Sequence, residues 1–285
     1  MMTNETGLIL DQFFAGFSRE VAPLLLLDYD GTLAPFRVDR SKAHPFKGVR
    51  EVIAHIQEQT RTRVVVITGR PAREIGPLLR GHPPVELHPV EVWGLHGAER
   101  LYADGKHELR LSSPETQRTL DQLREYLRHN NLGGEFEDKP NAAVMHWRGT
   151  SARTARFIAQ RTRELFAPFA QREGFTLLEF ESGLELRTGP NKGDAVRELV
   201  REVAPGTPVA YLGDDITDEA AFGVVNQLDG PHLSVLVRPE KRATEADVWF
   251  RPPTELRAFL KRWLKAASRL RAKRKAPVMM QALAD

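Results

Sequence analysis

The chain has no cysteine. That excludes a disulfide framework, a thiolate nucleophile and a cysteine-based zinc site. It also fits a reducing compartment, so a cytoplasmic location is expected. No apolar run approaches the about 18 residues that a membrane span needs, and no basic segment leads into a long apolar core at the N-terminus. Neither a membrane association nor a signal peptide is expected. No G-x-G-x-x-G follows the first apolar run, which disfavours a dinucleotide-binding oxidoreductase. Charge of one sign is scarce too, with 41 Lys and Arg against 38 Asp and Glu, a formal net charge of +3. The local exception is the basic stretch of Lys261, Arg262, Lys265, Arg269, Arg271, Lys273, Arg274 and Lys275. It lacks the interleaved aromatic pattern that base stacking needs and reads as a solvated helix face with a tail, so no nucleic-acid partner is expected.

What the chain does have is an apolar run that ends in acid. Leu24-Leu25-Leu26-Leu27 leads into Asp28-Tyr29-Asp30, then Gly31 and Thr32, which let the chain turn. Such a run suits a fully buried strand of a parallel sheet. In open α/β sheets, ligands sit beyond the carboxyl ends of these strands. Two carboxylates this close repel one another, and burial makes the repulsion costlier. A hard divalent cation such as Mg²⁺, which takes oxygen ligands, offsets that cost. The plainer alternative is that Asp30 caps a turn while Asp28 is solvated.

The design recurs. Arg63 to Ile67 is a β-branched run closed by Thr68-Gly69-Arg70, with Pro71 suited to the first turn of a helix over 71–80. Residues 8–19 and 47–59 read as helices, Val90 to Trp93 as a third core strand, and 100–111 as a hairpin turning at Asp104-Gly105. The order then changes to a helix over 114–129 with Ser113 as N-cap, strands over 134–139 and 142–148, a helix over 151–168, and strands over 175–181 and 184–188. Core signals resume with a helix over 193–203, a strand over 208–215 ending in Asp214-Asp215, a helix over 218–225, a strand over 233–237 and a closing helix over 254–270. A disordered tail is expected after Lys275. The expected fold class is α/β: a doubly wound parallel-sheet (Rossmann-like) core, residues 1–111 and 190–285, with an inserted α+β domain, residues 112–189.

Asp28 with Asp30, Thr68, Lys192, and Asp214 with Asp215 all stand at strand ends or helix starts, on one rim of such a sheet. Together they suit phosphoryl transfer. One carboxylate attacks, and a second, two residues on, protonates the leaving oxygen and then activates water. A hydroxyl and an ammonium neutralise the phosphoryl oxygens, and a distant carboxylate completes a metal site. Taken singly, each has a structural reading: Lys192 as a solvated helix start, Thr68 as a strand-end cap, Asp214 and Asp215 as caps of the next helix.

Asp28-Tyr29-Asp30-Gly31-Thr32 resembles the DxDGT signature of haloacid dehalogenase-like phosphatases. The segments Thr68-Gly69-Arg70, Gly-Leu-His-Gly-Ala-Glu at 94–99, Glu137-Asp138-Lys139, His146-Trp147-Arg148, Asn191-Lys192-Gly193 and Gly-Asp-Asp-Ile-Thr-Asp-Glu at 213–219 extend the resemblance to the trehalose-6-phosphate phosphatase family. Thr68 stands where that family often has serine and keeps the hydroxyl. The resemblance implies a Mg²⁺-dependent phosphatase that acts on trehalose 6-phosphate, with residues 112–189 as a cap domain that sets sugar specificity; apart from the resemblance, a monomer is expected. It implies Asp28 as nucleophile, Asp30 as general acid/base, and Thr68 and Lys192 as holders of the phosphoryl group. It further implies Asp28, Asp30, Asp214 and Asp215 around the metal. Candidate substrate contacts are Asp28, Tyr29, Asp30, Arg70, Glu137, Lys139, Arg148 and Glu185. Trp147 is expected in the core, His96 as a structural hydrogen-bonder, and Asp218 with Glu219 as caps of the helix that follows, with support of the site residues as the sharper alternative. The alternatives are a phosphatase of another sugar phosphate, of the sucrose or glucosylglycerol type, and a non-catalytic sugar-phosphate-binding subunit of a synthase complex.

Overall fold

The computed structural model describes residues 4–18, 20–37, 39–80, 87–130, 132–180 and 182–271. Lys273, Arg274, Lys275 and the tail beyond them lie outside these residues, as does Glu181. The chain opens with α1 (Asn4–Ala15), β1 (Leu24–Leu27), α2 (Val49–Gln59), β2 (Arg63–Ile67), α3 (Ala72–Arg80), β3 (Glu91–Gly94), β4 (Glu99–Leu101) and β5 (His107–Leu109). Next come α4 (Pro114–His129), β6 (Glu135–Lys139), β7 (Ala142–His146), α5 (Ala152–Ala170), β8 (Phe175–Phe180) and β9 (Gly183–Thr188). It ends with α6 (Lys192–Arg201), β10 (Val209–Gly213), α7 (Glu219–Val225), β11 (His232–Val237), β12 (Val248–Phe250) and α8 (Thr254–Arg271).

The strands form two sheets. The larger runs β12-β11-β10-β1-β2-β3-β4-β5. It is parallel from β12 to β3 and antiparallel over the β3-β4-β5 end. The sheet is thus mixed, its parallel part being the α/β core that the alternating order of runs predicts. The strand β12 was not legible in the sequence, because three residues carry no usable period. The smaller sheet, β6-β7-β9-β8, is wholly antiparallel. Among the described residues no helix is long and apolar enough to cross a membrane.

Side-chain alternation along β1 explains the layering. Leu25 and Leu27 join a cluster with residues of α1, α2, α3 and α8, while Leu24 and Leu26 join one with residues of α6 and α7. Successive side chains on a strand point to opposite faces, so helices cover the large sheet on both. The small sheet is covered on one face. Ala143, Met145, Leu184 and Leu186 pack against Leu120, Leu123 and Leu127 of α4 and Ile158 and Phe166 of α5. The alternate residues, among them Glu137, Lys139, His146 and Glu185, therefore share the opposite face. Two caps fix the helices that enter and leave this block: Ser113 accepts from Thr116 N, and Asn191 forms a capping box with Asp194.

Candidate active site

Asp28 continues the alternation of Leu24 and Leu26, so its carboxylate lies on the α6/α7 side. Lys192, the first residue of α6, meets it there: Lys192 Nζ donates to Asp28 Oδ1 at 2.7 Å and to Asp218 Oδ1 at 2.7 Å. Asp28, Asp214 and Asp218 each have a carboxylate oxygen within 4.8 Å of the others. Strand order brings this about, because β1 lies between β10 and β2, and Asp28 N donates to Leu212 O at 2.8 Å. Gly31 completes the fit. It has φ +85°, and a Cβ there would stand 2.1 Å from Asp214 Oδ2, so only glycine lets the turn after Asp30 pass under the second carboxylate.

All these groups are buried. Burial, above all, raises the pKa of Asp28, with Asp218 and Asp30 adding to the rise and Lys192 opposing it. Burial likewise raises Asp214, with Asp28, Asp218 and Asp215 adding and Lys192 again opposing. Burial works against the charged form of Lys192, but Asp218 and Asp28 outweigh it and hold its pKa above the usual lysine range. Two adjacent carboxylates that protein cations leave under-neutralised, offering only oxygen, suit a hard dication.

Asp218 belongs to this cluster but not to the oxygens free to bind. Its Oδ1 accepts from Lys192 Nζ and Tyr211 OH, and its Oδ2 accepts from Asp214 N and Asp215 N. All four acceptor positions of the carboxylate are used. Asp218 is a scaffold for Lys192 and for the Asp214-Asp215 backbone, the supporting role rather than the capping one, since its side chain makes no cap hydrogen bond to α7. The only sequence signal was its place in the 213–219 segment.

The other rim candidates are placed as follows. Thr68, buried just past β2, accepts from Arg70 N at 3.2 Å. Asp30 is gripped by Arg70, whose Nε and Nη2 donate to its two oxygens at 2.6 and 2.5 Å. Arg70 is thereby directed to Asp30 rather than to open space. Asp215 does not bring its carboxylate into the acidic cluster; Oδ1 accepts from Ile216 N at 2.7 Å and caps a short helical turn. The expectation that Tyr29 contacts substrate is corrected. Tyr29 alternates to the opposite face from Asp28, is fully buried in the α2/α8 cluster, and its hydroxyl donates to Ala43 O at 2.8 Å.

A cavity of about 610 Å³ opens over this rim and is bounded on its far side by the uncovered face of the small sheet. Glu137, Lys139 and Glu185 all line it, as does the exposed Arg148, whose Nη1 donates to Arg37 O at 3.2 Å. Lys139 Nζ donates to Glu185 Oε2 at 2.9 Å, leaving the buried Glu185 Oε1 without a partner. Glu137 accepts from His146 and, across the gap between the sheets, from Arg40 at 2.7 Å. Burial opposes the charge on Glu137, yet the His146 hydrogen bond with the Lys139 and Arg40 cations holds its pKa down at about 2. Arg40 gave no signal in the sequence, since a loop residue 97 positions away has no periodicity that announces its partner.

Trp147, expected in the core, is half-buried and packs against the edge of the α4/α5 cluster. His96 does not hydrogen-bond through its ring. Its Nδ1 has no partner, and its Nε2 is 3.6 Å from Glu185 Oε1, beyond hydrogen-bond reach. Burial first, then Arg187, Lys192 and Lys139, press its pKa well below the usual value, so the ring is neutral.

The trehalose-phosphatase family model matches residues 26–250, which takes in the small sheet and all of the large one but the first two residues of β1. The chain belongs to the trehalose-phosphatase family. Within the family it is 27% identical to the trehalose-6-phosphate phosphatase of Escherichia coli (strain K12) over 213 residues, covering 73% of this chain and 75% of that one. The trehalose-phosphate phosphatase of Mycobacterium marinum is 29% identical over 252 residues, 83% of this chain but only 60% of the mycobacterial one. The solved C-terminal domain of Candida albicans trehalose-6-phosphate phosphatase shares the fold, with a TM-score of 0.72 over 92% of this chain and 97% of that one, at 21% identity. Solved haloacid dehalogenase-like hydrolases share it as well.

Proposed function

We propose that this chain hydrolyses trehalose 6-phosphate to trehalose and inorganic phosphate, in trehalose biosynthesis, through an aspartyl phosphate on Asp28. The observation that carries the reading is the buried Lys192–Asp28 pair at the floor of a cavity whose opposite wall is the polar Glu137/Lys139/Glu185 face. An Asp28 oxygen attacks phosphorus, the bond from phosphorus to the sugar oxygen breaks, and Asp30 gives that oxygen its proton. The Asp30 carboxylate then takes a proton from water as the water oxygen attacks phosphorus, the bond to Asp28 breaks, and phosphate leaves. Before donating, Asp30 must take up the proton it transfers and exchange its Arg70 hydrogen bonds for one to the leaving oxygen; the proton it takes from water in the second step restores that state.

Thr68 and Lys192 hold phosphoryl oxygens in this reading. Asp28 and Asp214, with the backbone carbonyl of Asp30, would hold Mg²⁺, and Asp215 supports Asp214 from its cap. The ion, when bound, supplies positive charge against the crowded oxygens. Residues 112–189 act as the cap domain: Glu137, Lys139, Arg148 and Glu185 offer both donors and acceptors, as a polyol requires. A cap that closes over the cavity also keeps water away until the sugar has left. The test is phosphate release with Mg²⁺, and with EDTA as control, across trehalose, sucrose and glucosylglycerol phosphates. Trehalose 6-phosphate is expected to give the highest kcat/KM. Preference for another member of the panel would overturn the substrate; no Mg²⁺-dependent release from any would overturn the reaction.

A further inference from the structure

The cavity has a second wall that the cap does not supply. The loop between β1 and α2 sends Phe36, Arg37, Asp39, Arg40 and Ser41 into it. Phe36 is conspicuous among them, because 58% of this large apolar residue is exposed. Isolated exposed apolar side chains are common and mean little. Of the large ones exposed among the described residues, however, Phe36 is the one that lines this cavity.

The remaining lining is heavily charged, and its charges are mostly paired with one another: Lys139 with Glu185, Arg40 with Glu137, Arg70 with Asp30. These groups read hydroxyls. A pyranose ring, however, also carries a face of C–H bonds, which needs an apolar surface to leave water. On the cap side Leu178 and the half-buried Phe180 reach the lining; on the core side Phe36 is the aromatic surface. Arg40 Nη1 to Glu137 Oε1, at 2.7 Å, ties the loop that carries Phe36 to the sheet that carries the sugar-reading face.

We propose that Phe36 is a specificity-determining residue: its ring is the platform on which a C–H face of the disaccharide stacks as the cap residues bind the hydroxyls. The inference rests on the reading of the site as a disaccharide-phosphate phosphatase, and it moves part of the sugar recognition from the cap to the core.

The test compares the wild type, Phe36→Ala and Phe36→Trp. The measurements are the KM for trehalose 6-phosphate, inhibition by free trehalose and inhibition by inorganic phosphate. In Phe36→Ala the KM and the trehalose inhibition constant are each expected to rise about five- to tenfold, with the phosphate inhibition constant unchanged. Phe36→Trp, which keeps an aromatic face, is expected to stay within about twofold of wild type. An exposed ring contributes little to folding, so both variants are expected to keep the wild-type Tm. Unchanged trehalose constants in Phe36→Ala, or an equal rise in the phosphate constant, overturns the proposal. A wild type that releases no phosphate from trehalose 6-phosphate overturns the functional reading and the Phe36 role with it.

Discussion

Asp218 holds Lys192 in place: the ammonium sits 2.7 Å from Asp218 Oδ1 and 2.7 Å from Asp28 Oδ1, both inside the protein. Asp218→Ala removes the acceptor of four hydrogen bonds and leaves a buried ammonium with one partner. A loss of about 3–5 kcal/mol in unfolding free energy is expected, measured by urea denaturation. A loss under about 1 kcal/mol would show that the scaffold role is wrong.

Asp28→Asn keeps the size of the side chain and removes the charge proposed to attack phosphorus. Turnover is expected to fall more than about a thousandfold, with near-wild-type circular dichroism. Mass spectrometry must exclude deamidation back to aspartate. Sustained turnover by a verified asparagine variant would falsify the nucleophile assignment.

Mg²⁺ is expected to raise the Tm of metal-stripped protein, because it offsets repulsion between Asp28 and Asp214, and anything that binds only the folded state stabilises it. Asp214→Asn should lose most of that gain. An equal gain in Asp214→Asn would place the ion elsewhere.

Glu137 sets a pH dependence. Against burial, His146, Lys139 and Arg40 hold its pKa down at about 2, below the ordinary 4.5 of a glutamate, so its contribution is present above about pH 4.5 and is lost as the pH falls toward 2. Glu137→Gln is therefore expected to be less stable than wild type at neutral pH and to lose that deficit in acid. A deficit independent of pH between 2 and 7 would contradict the ion-pair account.

Arg148 is exposed and bonds only lightly to the core loop at Arg37 O. Arg148→Ala should leave the Tm nearly unchanged yet lower kcat/KM for trehalose 6-phosphate far more than for p-nitrophenyl phosphate. Matching losses on the two substrates would take Arg148 out of sugar recognition.

The sequence by itself determined the local features. The four leucines before Asp28 suited a buried strand, Ser113 announced its helix, and the change of order after residue 111 announced a block of different, α+β character. These are short-range consequences of period, capping and turn chemistry, and a linear chain displays them. Tertiary structure decided which side chains meet. It gave Asp30 to Arg70, gave the Tyr29 hydroxyl to Ala43 O, chose Asp218 over Asp215 for the acidic cluster, and paired Arg40 with Glu137. Those outcomes depend on strand order and on the stacking of two sheets, which bring together residues that no local pattern links. Charge pairs at such separations carry no periodic signal, and only the folded geometry selects among the possible partners.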